Sequence, residues 1–156
     1  MSQAASADDR TLLADLRRRR AELRESMDAL ERALSAPAPP GLAAHWAERV
    51  HAALLELSGD FREHLAVTEG PDGLYQDLAR KAPRLAGRVS RLVQDHVAIG
   101  ERLEGLLSLM GLALDGDEIG RVRELGTELL GSIVRHRQHG ADLVYEAYEV
   151  DIGGDE

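Results

Sequence analysis

Apolar residues recur every three or four positions over most of the chain, a spacing that gives a helix one buried face. Four long segments carry this pattern, and residues that break or end helices separate them. The predicted helices are A (residues 9–35), B (42–68), C (83–110) and D (118–148). Helix B is interrupted by Glu-Gly-Pro-Asp-Gly at 69–73 and then resumes to about residue 81. No segment shows the alternation of apolar and polar residues that is typical of a strand.

The connectors between these helices are short. The connector at 35–41, Ser-Ala-Pro-Ala-Pro-Pro-Gly, contains three prolines, which cannot continue a helix. Short connectors place consecutive long helices side by side and antiparallel. We therefore predict an all-α protein: one up-down-up-down antiparallel four-helix bundle at residues 9–149, with a flexible N-terminus at 1–8 and a flexible tail at 150–156.

The composition agrees with this fold and narrows the function. A chain of 156 residues and 17.0 kDa suits a single domain. The chain has 19 Lys and Arg residues against 28 Asp and Glu, a net charge of −9, which argues against a nucleic-acid or anionic-membrane partner. Because there is no cysteine, any metal would need His, Asp, Glu or Tyr ligands. No apolar signal or membrane-spanning segment is visible, so we expect a cytoplasmic protein.

One basic run, at residues 17–20, stands in helix A. Asp15, Glu22 and Glu25 lie at helical contact spacings from it. We therefore predict a solvated, ion-paired helix face, with a phosphate or partner patch as the alternative.

Three of the six histidines share the apolar stripe of their helices. On a helical wheel of about 100° per residue, His64 continues the stripe of helix B, His96 lies in that of helix C and His136 in that of helix D. His45 and His51 lie off the stripe of helix B, so we expect them to be exposed.

Counted along the helices at about 1.5 Å per residue, the three inward histidines lie at nearly the same height in the bundle. Buried imidazoles without partners would cost roughly a few kcal/mol each, so a metal ion or a polar network must satisfy them. Glu69 follows His64 closely in the sequence. Unwinding of the helix at 70–73 would allow the Glu69 carboxylate to turn toward the histidines.

These residues, in this order and spacing, resemble the hemerythrin-like (HHE cation-binding) domain family. The resemblance covers residues 42–148 and includes the segments PRLAGRVSRLVQDH at 83–96 and IVRHRQHGADLVYEA at 133–147. It implies an antiparallel bundle in which inward histidines and two carboxylates hold a pair of non-haem iron ions. The function it implies is to carry or sense O2 or NO, or to store or sense iron.

The resemblance assigns His64, His96 and His136 as metal ligands. The chain departs from the family's pattern wherever the other ligands are expected. Those ligands would fall near Leu12 and on Thr68, Gly100 and either Gly140 or Ala141. The ligand set of this chain is therefore smaller than that of a two-iron site.

The predicted metal ligands are His64, Glu69, His96, His136 and, if helix D is distorted, His139 or Asp142. This set suits one non-haem iron ion rather than two, with O2 or NO as the expected small ligand. Two other interpretations stay open: a metal-free bundle that acts as a structural or protein-interaction module, and axial haem ligation by two of the histidines. No catalytic constellation beyond the histidines is present, which favours a binding protein over an enzyme.

Arg19 and two tyrosines could also contribute to this site. Arg19 lies near the apolar stripe of helix A. Its side chain either reaches the surface or replaces a lost metal's charge by pairing with a core carboxylate such as Glu69 or Glu146. Tyr75 or Tyr145 would donate a hydrogen bond at the site.

Overall fold

The structure is a computed structural model that describes residues 7–112 and 116–150, with side chains through residue 148. Its five α-helices are α1 (Ala7–Ser35), α2 (Ala43–Glu69), α3 (Leu74–Lys81), α4 (Ala86–Met110) and α5 (Gly116–Val144). A 3-10 turn at Pro83–Leu85 precedes α4, and a π-helical turn at Tyr145–Val150 continues α5. The described residues contain no strand, which confirms the predicted all-α class.

The four long helices surround one core. Helix α1 packs against α2 and α5, and α4 packs against the same two helices. Arg123, near the start of α5, donates a hydrogen bond of 3.0 Å to the carbonyl oxygen of Leu34, near the end of α1. These two helices are therefore antiparallel, and the predicted up-down-up-down bundle is confirmed.

Three stretches for which the sequence makes predictions lie outside the described residues. They are 1–6 and 151–156 of the predicted flexible termini, and 113–115 of the turn before α5. Within the described part of the chain, no helix combines the length and the apolar character that a membrane span requires.

The core contains two apolar clusters, and the three inward histidines lie between them. On α4, Leu92 belongs to the smaller cluster and Ile99 to the larger one, and His96 lies between these two residues. The same order holds for His64 on α2 and His136 on α5. The bundle therefore has a polar layer within an otherwise apolar interior.

The break after α2 depends on glycine. A Cβ at Gly70 would lie 2.3 Å from the carbonyl oxygen of Ala66, and a Cβ at Gly73 would lie 2.8 Å from that of Val67. Real Cβ atoms do not approach that closely, so a larger residue would require the turn to shift. The break ends α2 at Glu69 and lets the short α3 turn back and bury its apolar face against the bundle.

Candidate metal centre

Three imidazole rings meet in the core with their Nε2 atoms facing one another. The Nε2 atom of His64 lies 3.1 Å from Nε2 of His96 and 3.3 Å from Nε2 of His136. The three residues, called here the histidine cluster, are 8%, 3% and 3% exposed. They form the one group of potential metal ligands found among the described residues. Helices α2, α4 and α5 each contribute one ring, as the sequence predicts.

Two carboxylates accept hydrogen bonds from the outer ring nitrogens, the Nδ1 atoms, of His96 and His136. The Nδ1 atom of His96 donates to the carboxylate of Glu69, and Nδ1 of His136 donates to Oδ2 of Asp95 at 3.0 Å. A carboxylate acceptor keeps the ring proton on Nδ1. The Nε2 atoms of His96 and His136 therefore present lone pairs to the centre of the cluster.

Among the described residues, no carboxylate accepts a hydrogen bond from Nδ1 of His64. That atom is buried and has no hydrogen-bond partner in the described part of the chain. If Nε2 of His64 carries the ring proton, it can satisfy only one of the two facing lone pairs. The other lone pair then stays buried without a donor, at a cost of about 1–3 kcal/mol. A cation at the centre would satisfy all three nitrogens.

The spacing of these nitrogens fits a metal ion. Two imidazole nitrogens bound at about 2.0–2.1 Å to one tetrahedral ion stand about 3.3–3.4 Å apart. The separations of 3.1 and 3.3 Å from Nε2 of His64 are close to this value. These two separations suit ligands of one ion, and one ligand atom from each of the three residues lies within 4.8 Å of the others.

The surroundings keep the cluster neutral. Burial and, to a lesser extent, the neighbouring imidazoles lower the pKa of His64 and of His96 to about 3. Burial also lowers the pKa of His136, although Asp95 opposes this shift. Neutral imidazole is the form that binds metals, so all three rings are ready to act as ligands at neutral pH.

Aromatic rings hold the cluster in place. Phe61 stacks on His64, with ring centroids 6.2 Å apart, and meets His96 edge-on. Tyr75 of α3 stacks on His96 at 5.9 Å with an angle of 17° between the ring planes. Thr68 donates to the carbonyl oxygen of His64 at 2.8 Å, so its hydroxyl does not point a proton at the ring nitrogens.

The structure places the remaining predicted ligands away from the centre. The Glu69 carboxylate contacts Nδ1 of His96, on the far side of that ring from the Nε2 atoms. His139 is exposed and lines a separate small cleft with Arg88. Asp142 is exposed and accepts a hydrogen bond of 3.0 Å from Gln138. The structure does not bring His139 or Asp142 to the cluster, and direct ligation by Glu69 stays a prediction.

Asp95 is the partner that sequence reasoning missed. It precedes the inward residue His96 and is itself partly exposed, so its periodicity indicates only a helix flank. Its partner His136 lies 41 positions later, on α5. The only signal in the sequence was that Asp95 is an acidic residue next to a core histidine. A helical wheel does not show that its carboxylate contacts a residue of another helix.

Arg19 does not pair with either of the core carboxylates considered for it. It contacts Glu22 at 3.0 Å and Glu63 at 3.4 Å, whereas Glu69 contacts His96 and Glu146 contacts Arg88. The idea that Arg19 pairs with Glu69 or Glu146 is therefore wrong. The carboxylates that Arg19 reaches lie at the side of the bundle, where its charge stays partly solvated.

Comparison with known protein families agrees with this site. The model of the hemerythrin HHE cation-binding domain matches residues 10–147. Neither the curated proteins nor the solved structures provided a match to the chain. The matched range includes nearly all of the bundle and the whole histidine cluster. The chain belongs to the hemerythrin HHE cation-binding domain family.

Proposed function

We propose that this protein binds a single non-haem iron ion at the histidine cluster and uses it to bind or sense O2, NO or redox state, or to handle iron. The observation that carries the proposal is the convergence of three buried Nε2 atoms with His64 at 3.1 and 3.3 Å from the other two. A group of unprotonated nitrogens in an apolar core is stable when a cation lies among them.

Family membership supports iron, and the donor set supports one ion. Imidazole nitrogen suits iron, zinc, copper and nickel, so the donors alone do not select the metal. The resemblance to the hemerythrin-like family implies non-haem iron as the metal. Only three ligand atoms converge among the described residues, which leaves too few for a second ion.

The residues of the chain orient and protect the site. Glu69 and Asp95 keep protons on the outer nitrogens of His96 and His136, which aims both Nε2 lone pairs inward. Phe61 covers one side of the cluster and limits the access of water. When bound, a ferrous ion would supply redox chemistry and vacant coordination positions for a small ligand.

Metal content tests the proposal directly. The protein would be purified without a metal-affinity tag, loaded anaerobically with ferrous iron, desalted and measured by elemental mass spectrometry. We expect one iron per chain and a visible absorption change on exposure to O2 or NO. Retention of no metal after loading would contradict metal binding, and retention of zinc in preference to iron would contradict the assignment of iron.

A metal-free bundle that serves as a structural or interaction module is the second candidate. The distances of 3.1 and 3.3 Å at Nε2 of His64 are also hydrogen-bond distances, so a network of imidazoles is compatible with them. This candidate predicts that chelator leaves the melting temperature unchanged. The metal centre predicts that chelator lowers it, because an ion that binds only the folded state stabilises that state.

A further inference from the structure

A cavity of about 410 Å³ lies beside the histidine cluster. Most of its lining comes from α1 and α5, and His64 and His136 form part of its wall. The volume is within the range of about 300–1,000 Å³ that is typical of sites for small organic molecules. It is far larger than a diatomic ligand needs.

Three arginines that line this cavity make no ion pair with the described residues. They are Arg17 and Arg20 of α1 and Arg137 of α5. Among the described residues, no carboxylate lies within ion-pair distance of any of them. The basic run at 17–20 is thus divided: Arg18 pairs with Asp15 at 3.2 Å, while Arg17 and Arg20 turn to the cavity.

The guanidinium of Arg137 makes one weak hydrogen bond, from Nη1 to Sδ of Met27 at 3.9 Å. Its Nε atom is buried and has no hydrogen-bond partner in the described residues. Arg20 and Arg137 are partly buried neighbours, and an anion between them would offset the repulsion of their like charges.

The cavity is polar at one end and apolar at the other. Because α1 and α5 are antiparallel, Arg20 and Arg137 lie together near the histidine cluster. Leu13 and Leu16 of α1 and Val144 of α5 lie toward the other end. Leu13 and Arg20 are seven positions apart, a separation of about 10 Å along the helix.

We propose that this cavity binds a small amphiphilic carboxylate, with its head group between Arg20 and Arg137 and its hydrocarbon chain against Leu13, Leu16 and Val144. The planar guanidinium forms two parallel hydrogen bonds with a carboxylate, which makes arginine the preferred partner of that group. The apolar end would bury the hydrocarbon chain. The inference goes beyond the metal site and does not depend on an ion at the histidine cluster.

Small residues keep the cavity open on α5. Gly140 and Ala141 line it, and a Cβ added at Gly140 would meet no atom within 4 Å. Arg17 and Tyr145 line the cavity and are exposed, so a ligand can enter from solvent. A larger side chain at Gly140 would therefore fill the space without a clash at its Cβ.

Isothermal titration calorimetry of the full chain with three probes tests the proposal. The probes are octanoate, octanol, which lacks the charge, and acetate, which lacks the chain. We expect octanoate to bind at least about tenfold more tightly than either other probe, because each of those loses one of the two interactions. Equal binding of octanol would overturn the anionic site, equal binding of acetate would overturn the apolar one, and no measurable octanoate binding would overturn both.

Matched variants locate the binding site. Arg20→Met and Arg137→Met should each weaken octanoate binding about tenfold or more, whereas Arg18→Met in the same basic run should not. Gly140→Leu should abolish binding, whereas Gly105→Leu, at an exposed position of α4 with equally open space, should not. Unchanged binding in Gly140→Leu, or equal loss in Arg18→Met, would overturn the assignment.

The same measurements separate this inference from the metal site. They would be made on protein as purified and after chelator treatment, with metal content determined for each sample. We expect octanoate binding in both. Binding only to the metal-loaded protein would overturn the role of the arginines, whereas loss of octanoate binding with metal retained would leave the proposed metal function intact.

Discussion

Asp95 provides the sharpest test of how the histidine cluster is held. Its Oδ2 atom accepts the Nδ1 proton of His136 at 3.0 Å, and no other carboxylate in the described residues contacts that nitrogen. Asp95→Ala removes the acceptor and leaves the ring of His136 free to rotate or to change tautomer. Either change would turn the Nε2 lone pair away from the centre.

The hydrogen bond between Asp95 and His136 sets the expected loss of metal affinity. Removal of a hydrogen-bond partner from a metal-binding histidine typically lowers metal affinity about 10- to 100-fold, or about 1.4–2.8 kcal/mol. The Asp95 side chain is 32% exposed, so water can replace part of the lost interaction. We therefore expect the lower part of the range, about 10- to 30-fold. Asp95→Asn keeps a neutral acceptor and should lose only about fivefold.

The assay is competition for ferrous iron against a coloured chelator under anaerobic conditions. Glu104→Ala, at an exposed position of α4, serves as the control for loss of negative charge on that helix. Urea unfolding of the metal-free variants would show that each is folded. Wild-type affinity in Asp95→Ala, or an equal loss in Glu104→Ala, would refute the idea that this hydrogen bond aims His136 at the ion.

Three further predictions concern the cluster and the break beside it. His64→Ala should abolish iron retention while His45→Ala, at an exposed position, should not; similar iron content in both by elemental analysis would contradict the site. In the metal-free protein, burial lowers the pKa of His64 and of His96 from 6.5 to about 3, so the folded state binds fewer protons than the unfolded chain below pH 6.5. The free energy of unfolding should therefore fall by about 2–3 kcal/mol between pH 7.5 and 5.5 in urea titrations, whereas a flat profile would show that folding does not shift the pKa of these histidines. Gly70→Ala would place a Cβ 2.3 Å from a carbonyl oxygen and should cost about 1–3 kcal/mol in thermal unfolding, and an unchanged melting temperature would show that the turn needs no glycine.

Local sequence was sufficient to predict the helices and their inward faces. Helical periodicity depends on residues three and four positions apart, so the bounds of the long helices and the burial of His64, His96 and His136 followed without knowledge of the packing. The glycines of the break likewise act on carbonyl groups within a few residues. These features were readable because their physical causes lie within one helix or one turn.

The surroundings of Arg20 could not be predicted from spacing along its helix. Helical spacing predicted an ion-paired face for the run at 17–20, with a phosphate or partner patch as the alternative, and only Arg18 and Arg19 of the run form ion pairs with described residues. Arg20 instead lines the cavity that His64 also borders. Small errors in the rotation and height of a helix change which side chains reach the core.

The sequence by itself determined that four amphipathic helices would bury three histidines at one level, because the helical repeat and the breakers between helices are local properties. Only the tertiary structure decided that the Nε2 atoms face one another, that Glu69 and Asp95 accept hydrogen bonds from the outer nitrogens, and that arginines with no ion pair among the described residues line a partly apolar cavity. Those contacts join residues 27 to 72 positions apart. They depend on how far each helix is rotated and shifted when it packs against its neighbours, and no spacing along a single helix records that.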